Sequence, residues 1–451
     1  MGHSSGEKKL HYGWIIVGLS VAITVGALGL GRFGYTVVLP SMKIGLGMNA
    51  VKAADLATGN MVGYLSFSVI SGLLAARFGA RAVISFFLLV VSVSMFLSGL
   101  ANSYPLALLA RTLTGIGSAG ANIPAMALVA VWFSPRRRGL ATGIAVSGAS
   151  IGLVVTGLLV PVILRKFGAE GWRWAWFVFS AFAFLVAVLA SIFLRNAPGK
   201  KGLMPVGSQA GRAGATPLDR LGGEPRGSTA SPHNNSQPRR GNQTRENNTA
   251  PEVLGRGRLN WSLLYKSGQI WHLAGIYVLF GFSYVIYATF FVDYLTSEVG
   301  FPISRAGSLW SAIGMFSIIS GFIWGSVSDR LGRKYGLALV FLLQGTSYAL
   351  FGLWRSVPGF YLSALFFALT AWSVPAIMAA SAGDLLGTKM AAAAFGFISL
   401  LLSVGQVLGP FAAGRIAALT GSYSYSFLSA ALAALLGAVA ALFLRMSAAR
   451  E

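Results

Sequence analysis

The 451-residue chain has no cysteine, four histidines, and only 12 acidic residues against 35 lysines and arginines. Without cysteine there is no disulfide, no thiolate nucleophile and no thiolate metal site. His3, His11, His233 and His272 are scattered, so neither a metal cluster nor a bound cofactor is expected. No nucleophile or acid/base pair is assembled either, which argues against an enzyme. Charged residues of both signs make up 10% of the chain while hydrophobic residues make up 55%, a composition outside that of water-soluble domains.

The apolar residues come in stretches of about 20, enough to cross a hydrocarbon core of about 30 Å. Backbone groups there find no water, and the stretches lack the alternation of barrel strands, so the segments must be helices. Twelve spans are predicted: 14–40, 55–76, 82–100, 105–132, 139–164, 173–195, 271–295, 306–328, 335–354, 358–381, 391–416 and 423–445. The expected fold class is an all-α membrane protein with twelve transmembrane helices in two six-helix bundles, at 14–195 and 268–445. Between them, 196–267 is rich in Gly, Ser, Asn, Pro and Arg and is expected to be a disordered linker. Residues 1–13 and 446–451 are short polar ends.

A net charge of +23 would point to nucleic acid in a soluble protein, but its distribution points elsewhere. With the N-terminus cytoplasmic, the short inner segments hold thirteen Lys and Arg and the outer ones seven. The positive-inside rule then places both termini and the linker in the cytoplasm. The partners expected are the lipid bilayer and a small molecule, and no nucleic acid.

GSVSDRLGRK, Gly325 to Lys334, follows one apolar stretch, and a weaker copy, GLLAARFGAR, Gly72 to Arg81, follows another. This repeat resembles the loop between the second and third helices of each half in the major facilitator superfamily. HYGWIIV, WFSPRRRGLATGIAVSGASIG, GWR, GDLLG and TGSY are further similar to monocarboxylate and oxalate/formate-type carriers, and GRFGYTVVLPSM to related bacterial facilitators. The resemblance implies a secondary transporter, working by alternating access in a bacterial cytoplasmic (inner) membrane. It implies a conformational gate at Gly72, Arg77, Arg81, Asp329, Arg330 and Arg333, with Asp384 of GDLLG as a further gate or loop contact. Ala76 stands where the first copy would carry its acid. The eighth span has no charge, whereas the monocarboxylate carriers place a basic residue there.

The spans hold few charges, each of which needs a partner or a wet cavity. Arg32 lies eight residues before Pro40, the expected outer end of the first span, too deep for a rim charge. The resemblance puts spans one, four, seven and ten around a central cavity, where Arg32 would bind an anionic group through its two-pronged guanidinium. The alternative for Arg32, and the preferred reading of Arg111, is structural, with bonds to helix carbonyls or a pairing with Asp55. Asn60, Asn122, Tyr284, Tyr287 and Trp372 complete the expected substrate contacts. Tyr284 and Tyr287 are three apart and so share a helix face. Asp55 and Asp293 are the candidates for proton coupling, or else wet rim carboxylates. The reading is a carrier of a small, monocarboxylate-like organic anion, with a proton as possible co-substrate. A proton-coupled exporter of neutral or drug-like solutes, and a non-transporting sensor with the same fold, stay open as alternatives.

Overall fold

The structure is a computed structural model and describes residues 11–208 and 261–445. Among these residues it is helical, with a single isolated bridge between Phe133 and Val206. Helix α1 (Tyr12–Thr24) passes through a π-helical stretch, Val25–Phe33, into α2 (Gly34–Gly45). These three pieces make one span of 34 residues. Pro40, expected to end it, lies inside α2, so Arg32 sits deeper than the sequence implied. There follow α3 (Ala50–Phe78), α4 (Ala80–Leu100), α5 (Tyr104–Trp132), α6 (Pro135–Val146), α7 (Gly148–Phe167) and α8 (Gly171–Phe193). The second half holds α9 (Trp261–Lys266), α10 (Gly268–Ser297), α11 (Ile303–Ser317), α12 (Ser320–Leu331), α13 (Arg333–Leu353), α14 (Val357–Thr370), α15 (Ser373–Thr420) and α16 (Ser424–Leu442). Several starts are capped as their sequences dictate. Asn49 accepts the Lys52 N–H at 2.9 Å, and Pro105 and Pro358 stand in first turns that need no donor there.

Among the described residues, ten helical runs are long and apolar enough to cross a membrane, or eleven when α11 and α12, bent by 44°, count as one. That count takes Arg136–Phe193 as one run of 58 residues, which at about 1.5 Å per residue is nearly three hydrocarbon thicknesses. Gly168, at φ 57°, and the 3-10 turn Gly168–Glu170 break this run, and α8 packs back on α7. Counted as two, it brings the crossings to twelve. The run Ser373–Thr420 joins, at Gly387 where φ is 73°, two crossings already in that count, Val357–Gly387 and Met390–Thr420.

Helices α1 to α8 pack chiefly on one another, as do α10 to α16, and the two halves meet through α2 with α10, α3 with α15, and α7 with α11. Where they meet, side chains are trimmed away. A Cβ on Gly157 would lie 2.3 Å from the Gly307 carbonyl oxygen, and one on Gly414 would lie 2.2 Å from the Ala54 Cβ. The described chain ends near residues 11, 208, 261 and 445 all lie at one end of the bundle, called the terminal end below; the opposite is the far end.

Residues 209–260 of the expected linker, and most of the polar ends, lie outside the described residues. The flanks of the linker carry structure. Val206 is buried, donates its N–H to the Trp132 carbonyl at 2.9 Å and accepts from Ser134 N–H at 3.0 Å. His11 Nε2 lies 3.1 Å from the Met204 carbonyl, and α9 buries Leu264. These apolar residues explain why order extends past the expected boundaries.

Candidate functional site

Arg32 is the last residue but one of the π-helical stretch of the first span, thirteen residues before Gly45. That stretch is set by its neighbours. A Cβ on Gly29 would stand 2.6 Å from Gly152 Cα, so α7 crosses backbone against backbone. From α5, Ser118 Oγ donates to the Ala27 carbonyl at 2.7 Å and Arg111 Nη1 donates to the Gly31 carbonyl at 2.6 Å. π-helical insertions concentrate at functional sites, and this one delivers Arg32 to the space between the halves. The Arg32 side chain is 9% exposed, and its Nε and Nη2 are buried without a hydrogen-bond partner. Its guanidinium carbon lies 4.7 Å from the Tyr64 ring centroid, and the Tyr284 hydroxyl of the other half is within electrostatic reach. Gln406 Nε2 on α15 donates to that hydroxyl at 2.7 Å. Phe33, the next residue, meets Trp372 edge to face at 5.8 Å.

The site therefore draws Arg32 and Tyr64 from one half and Tyr284, Gln406 and Trp372 from the other. Tyr64 and Gln406 were not selected from sequence as substrate contacts. Tyr64 is the lone tyrosine of its span and gave a usable signal, while an amide such as Gln406 reads first as a helix bridge.

Other expected site residues have different duties. Asn60 Nδ2 donates to the Arg111 carbonyl at 3.0 Å and is 1% exposed, so it ties α3 to α5 instead of facing the cavity. Arg111 is structural, as preferred. Its guanidinium lies between the rings of Tyr35, at 4.8 Å, and Trp176, at 5.0 Å. Neither arginine pairs with Asp55, which Arg415 Nη1 reaches at 3.1 Å. Tyr287 turns away from Tyr284, because three residues along a helix leave about 60° between side chains. It is fully buried, bonded to Ser363 Oγ at 2.7 Å and ringed by Tyr348, Phe351 and Phe367. Asn122 is partly exposed and accepts from Thr24 Oγ1 at 3.2 Å, two turns of helix from Arg32 toward the terminal end.

Trp372 stands in a helix break, between α14 and α15, that faces the bend between α11 and α12. Its indole N–H donates to Ser150 Oγ at 2.9 Å, across the halves, and to Ser317 Oγ at 3.3 Å. Its backbone N–H donates to Ser320 Oγ at 3.2 Å, and Ser373 Oγ donates to the Ser320 carbonyl at 3.2 Å. Serines thus serve the backbone groups that the two breaks set free.

At the far end the halves are tied by charge. Asp293 is fully buried and receives Lys43 Nζ at 2.7 and 2.8 Å, with Ser297 Oγ also donating at 2.8 Å. Asp55 holds Arg415 as above and accepts from the Tyr104 hydroxyl at 3.4 Å. Thr36 Oγ1 donates to the Ala288 carbonyl at 2.6 Å. Asp55 and Asp293, expected as proton-coupling groups or wet rim carboxylates, are each half of an ion pair between the two bundles, and Asp293 is no wet rim group but fully buried.

The glycine-rich loops lie at the terminal end and make no such tie among the described residues. Arg333 pairs with Asp329 and, at 2.8 Å, with Asp384, all within the second half. Arg81 donates to the Ser191 carbonyl, and Arg77 lies over Phe78. Arg330 is exposed. Gly72 has open space around it, while Gly79 and Gly332, at φ 87° and 94°, hold the left-handed turn that each loop requires. Among the described residues, the side-chain bonds between the halves lie at mid-span or toward the far end, so the far end is closed in this conformation.

Comparison with known proteins fits this architecture. A protein described as "Probable sulfoacetate transporter SauU", from Cupriavidus necator, is 24% identical over 431 residues, covering 92% of this chain and 89% of its own. Monocarboxylate transporter 2 of Meriones unguiculatus is 24% identical over 430 residues, covering 93% and 81%. The crystal structure of a bacterial homolog to the human lysosomal transporter Spinster, inward-facing and unoccupied, superposes with a TM-score of 0.68 at 16% identity, covering 97% of this chain and 96% of that one. The family model of the Major Facilitator Superfamily matches residues 21–322, and that of the "Uncharacterised MFS-type transporter YbfB" matches 262–442. With two thirds of its length matched by that first model and both halves built as described, the chain is a transporter, not an enzyme, and belongs to the major facilitator superfamily.

Proposed function

We propose that the protein carries a small organic anion, of the monocarboxylate or similar single-headed type, and that Arg32 is the group that binds its negative charge. The observation that carries this reading is the pair of buried, unpartnered nitrogens on Arg32 in the space between the halves. A guanidinium in hydrocarbon costs about 2.5 to 3.5 kcal/mol on insertion scales, and unused donors add to that cost. A carboxylate or sulfonate restores two charge-assisted hydrogen bonds. Tyr64, Tyr284 and Trp372 would orient the rest of the solute, and the names of the relatives, a sulfoacetate and a monocarboxylate transporter, both refer to small organic anions. Both termini and the loops of Arg81 and Arg333 would face the cytoplasm.

Proton coupling is proposed through the far-end pairs. Protonation of Asp293 or Asp55 removes the charge that holds Lys43 or Arg415, loosening the closed end as a proton is taken up.

The test is uptake of labelled short monocarboxylates and a short sulfonate into proteoliposomes, with and without an inward proton gradient. Parent protein is expected to take up at least one of them, Arg32→Lys to retain part of that uptake, and folded Arg32→Gln to lose it. Absence of uptake across the panel by the parent overturns the anion assignment. Full uptake by Arg32→Gln moves the binding role elsewhere.

A further inference from the structure

Between α13 and α16, on the outer surface of the second half, runs a groove of about 720 Å³ lined by Leu331, Tyr335, Leu339, Leu342, Val439 and Leu442, among others. At the terminal end it opens into a second concavity of about 460 Å³, formed by Leu331 to Tyr335 and Leu442 to Arg445. Leu331, Tyr335 and Leu442 line both.

The two parts differ in chemistry. The groove is apolar along its length. Its mouth carries Arg333, Lys334 and Arg445. Arg333 is already matched by Asp329 and Asp384, but neither Lys334 nor Arg445 forms an ion pair among the described residues. Lys334 rests over the Tyr335 ring at 4.6 Å, which holds its ammonium at the mouth. The corresponding place in the first half is filled. There Asn196 Oδ1 accepts the Arg81 N–H in the first turn of α4, whereas α13 begins without a side-chain cap. An acceptor at the mouth would therefore also meet free backbone donors.

Dimensions narrow the occupant. From Leu331 to Leu342 the groove follows eleven residues of chain, about 16 Å, close to the depth of one leaflet of a hydrocarbon core of about 30 Å. We infer that this groove binds one phospholipid with a net negative headgroup, its acyl chain along α13 and α16 and its phosphate against Lys334 and Arg445. The inference does not depend on the transported solute.

Native mass spectrometry of the detergent-released protein tests it, by titration with phosphatidylglycerol and with phosphatidylcholine of the same chains. One phosphatidylglycerol per chain is expected to bind in preference to phosphatidylcholine. Each cation near an anionic headgroup is worth about fivefold in affinity, so Lys334→Gln with Arg445→Gln should cut that preference about 25-fold. Leu339→Trp, which fills the groove, should weaken the bound phosphatidylglycerol without touching the cations. Equal retention of the two lipids by the parent overturns the inference, as does undiminished preference in the double variant. Displacement of the lipid by millimolar inorganic phosphate alone would make the mouth a soluble-anion site and overturn it too.

Discussion

A guanidinium inside a membrane has five donors to place, and Arg111 and Arg32 place theirs differently. Arg111 gives one to the Gly31 carbonyl and lies between two aromatic rings, locking α5 to the first span. Arg111→Gln is expected to destabilise the folded protein by about 2 to 4 kcal/mol, because a buried carbonyl and two ring faces lose their partner. Thermal unfolding in detergent would show it, with Arg32→Gln close to parent in the same assay. The two tyrosines of α10 separate in the same way. Tyr287→Phe should lower stability by about 1 kcal/mol and leave transport kinetics unchanged, whereas Tyr284→Phe should raise KM for the solute with little effect on stability. The sequence showed that these residues are buried and polar, but not how their donors are met: Arg32 keeps Nε and Nη2 without a partner, and Arg111 keeps Nε alone. Arg32 and Arg111 are alike by depth and type, and only the packing of Tyr35 and Trp176 distinguishes them. Two tyrosines three apart read as one face until neighbouring helices claim each separately.

Among the elements, most span limits were legible because they are written locally, in an apolar run ended by a glycine turn or opened by a capping residue, whereas the first span runs past Pro40 to Gly45 and the tenth past 381 to Gly387. The irregular pieces were not. The π-helical stretch Val25–Phe33 and the breaks at Ile318–Ile319 and Ala371–Trp372 are stabilised by Ser118, Ser320 and other side chains distant in sequence, so no local signal marks them. Glycines recur along the fifth and eleventh spans, and close helix approach requires Gly148, Gly152, Gly157, Gly405, Gly409 and Gly414 but not Gly143. A Cβ on Gly152 would lie 2.2 Å from Gly29 Cα, while Gly72 and Gly325 have nothing within 4 Å. Gly152→Val is therefore expected to abolish recovery of monodisperse protein. Gly72→Ala and Gly325→Ala should be recovered at parental yield, and size-exclusion profiles of the three decide it. The loop repeat was legible as a motif, and its fixed points proved to be the left-handed turns at Gly79 and Gly332.

At the scale of the whole molecule, the ion pairs between the halves among the described residues lie at the far end, and Lys43–Asp293 is the more buried of the two. Asp293→Asn removes that attraction and should shift the population toward far-end opening by about tenfold, a modest share of what breaking a buried pair costs. Because the chain has no cysteine, Ala288→Cys provides a single label site beside the tie. Membrane-impermeant maleimide added from the far side should modify it about ten times faster in the Asp293→Asn background. Unchanged labelling would remove this pair from the gate. The unpartnered charge of Arg32 has an electrical consequence. No carboxylate pairs with it among the described residues, and Arg111 is sealed within its own half. Where no proton travels with the solute, a bound monoanion would cancel the Arg32 charge, leaving the loaded crossing nearly neutral, while the empty return carries about one positive charge. Membrane potential acts on such a charge with up to about 2.3 kcal/mol per 100 mV. Solute-for-solute exchange is then expected to ignore voltage, and net uptake to follow it, so that the resting potential of the membrane sets the pace of the unloaded carrier.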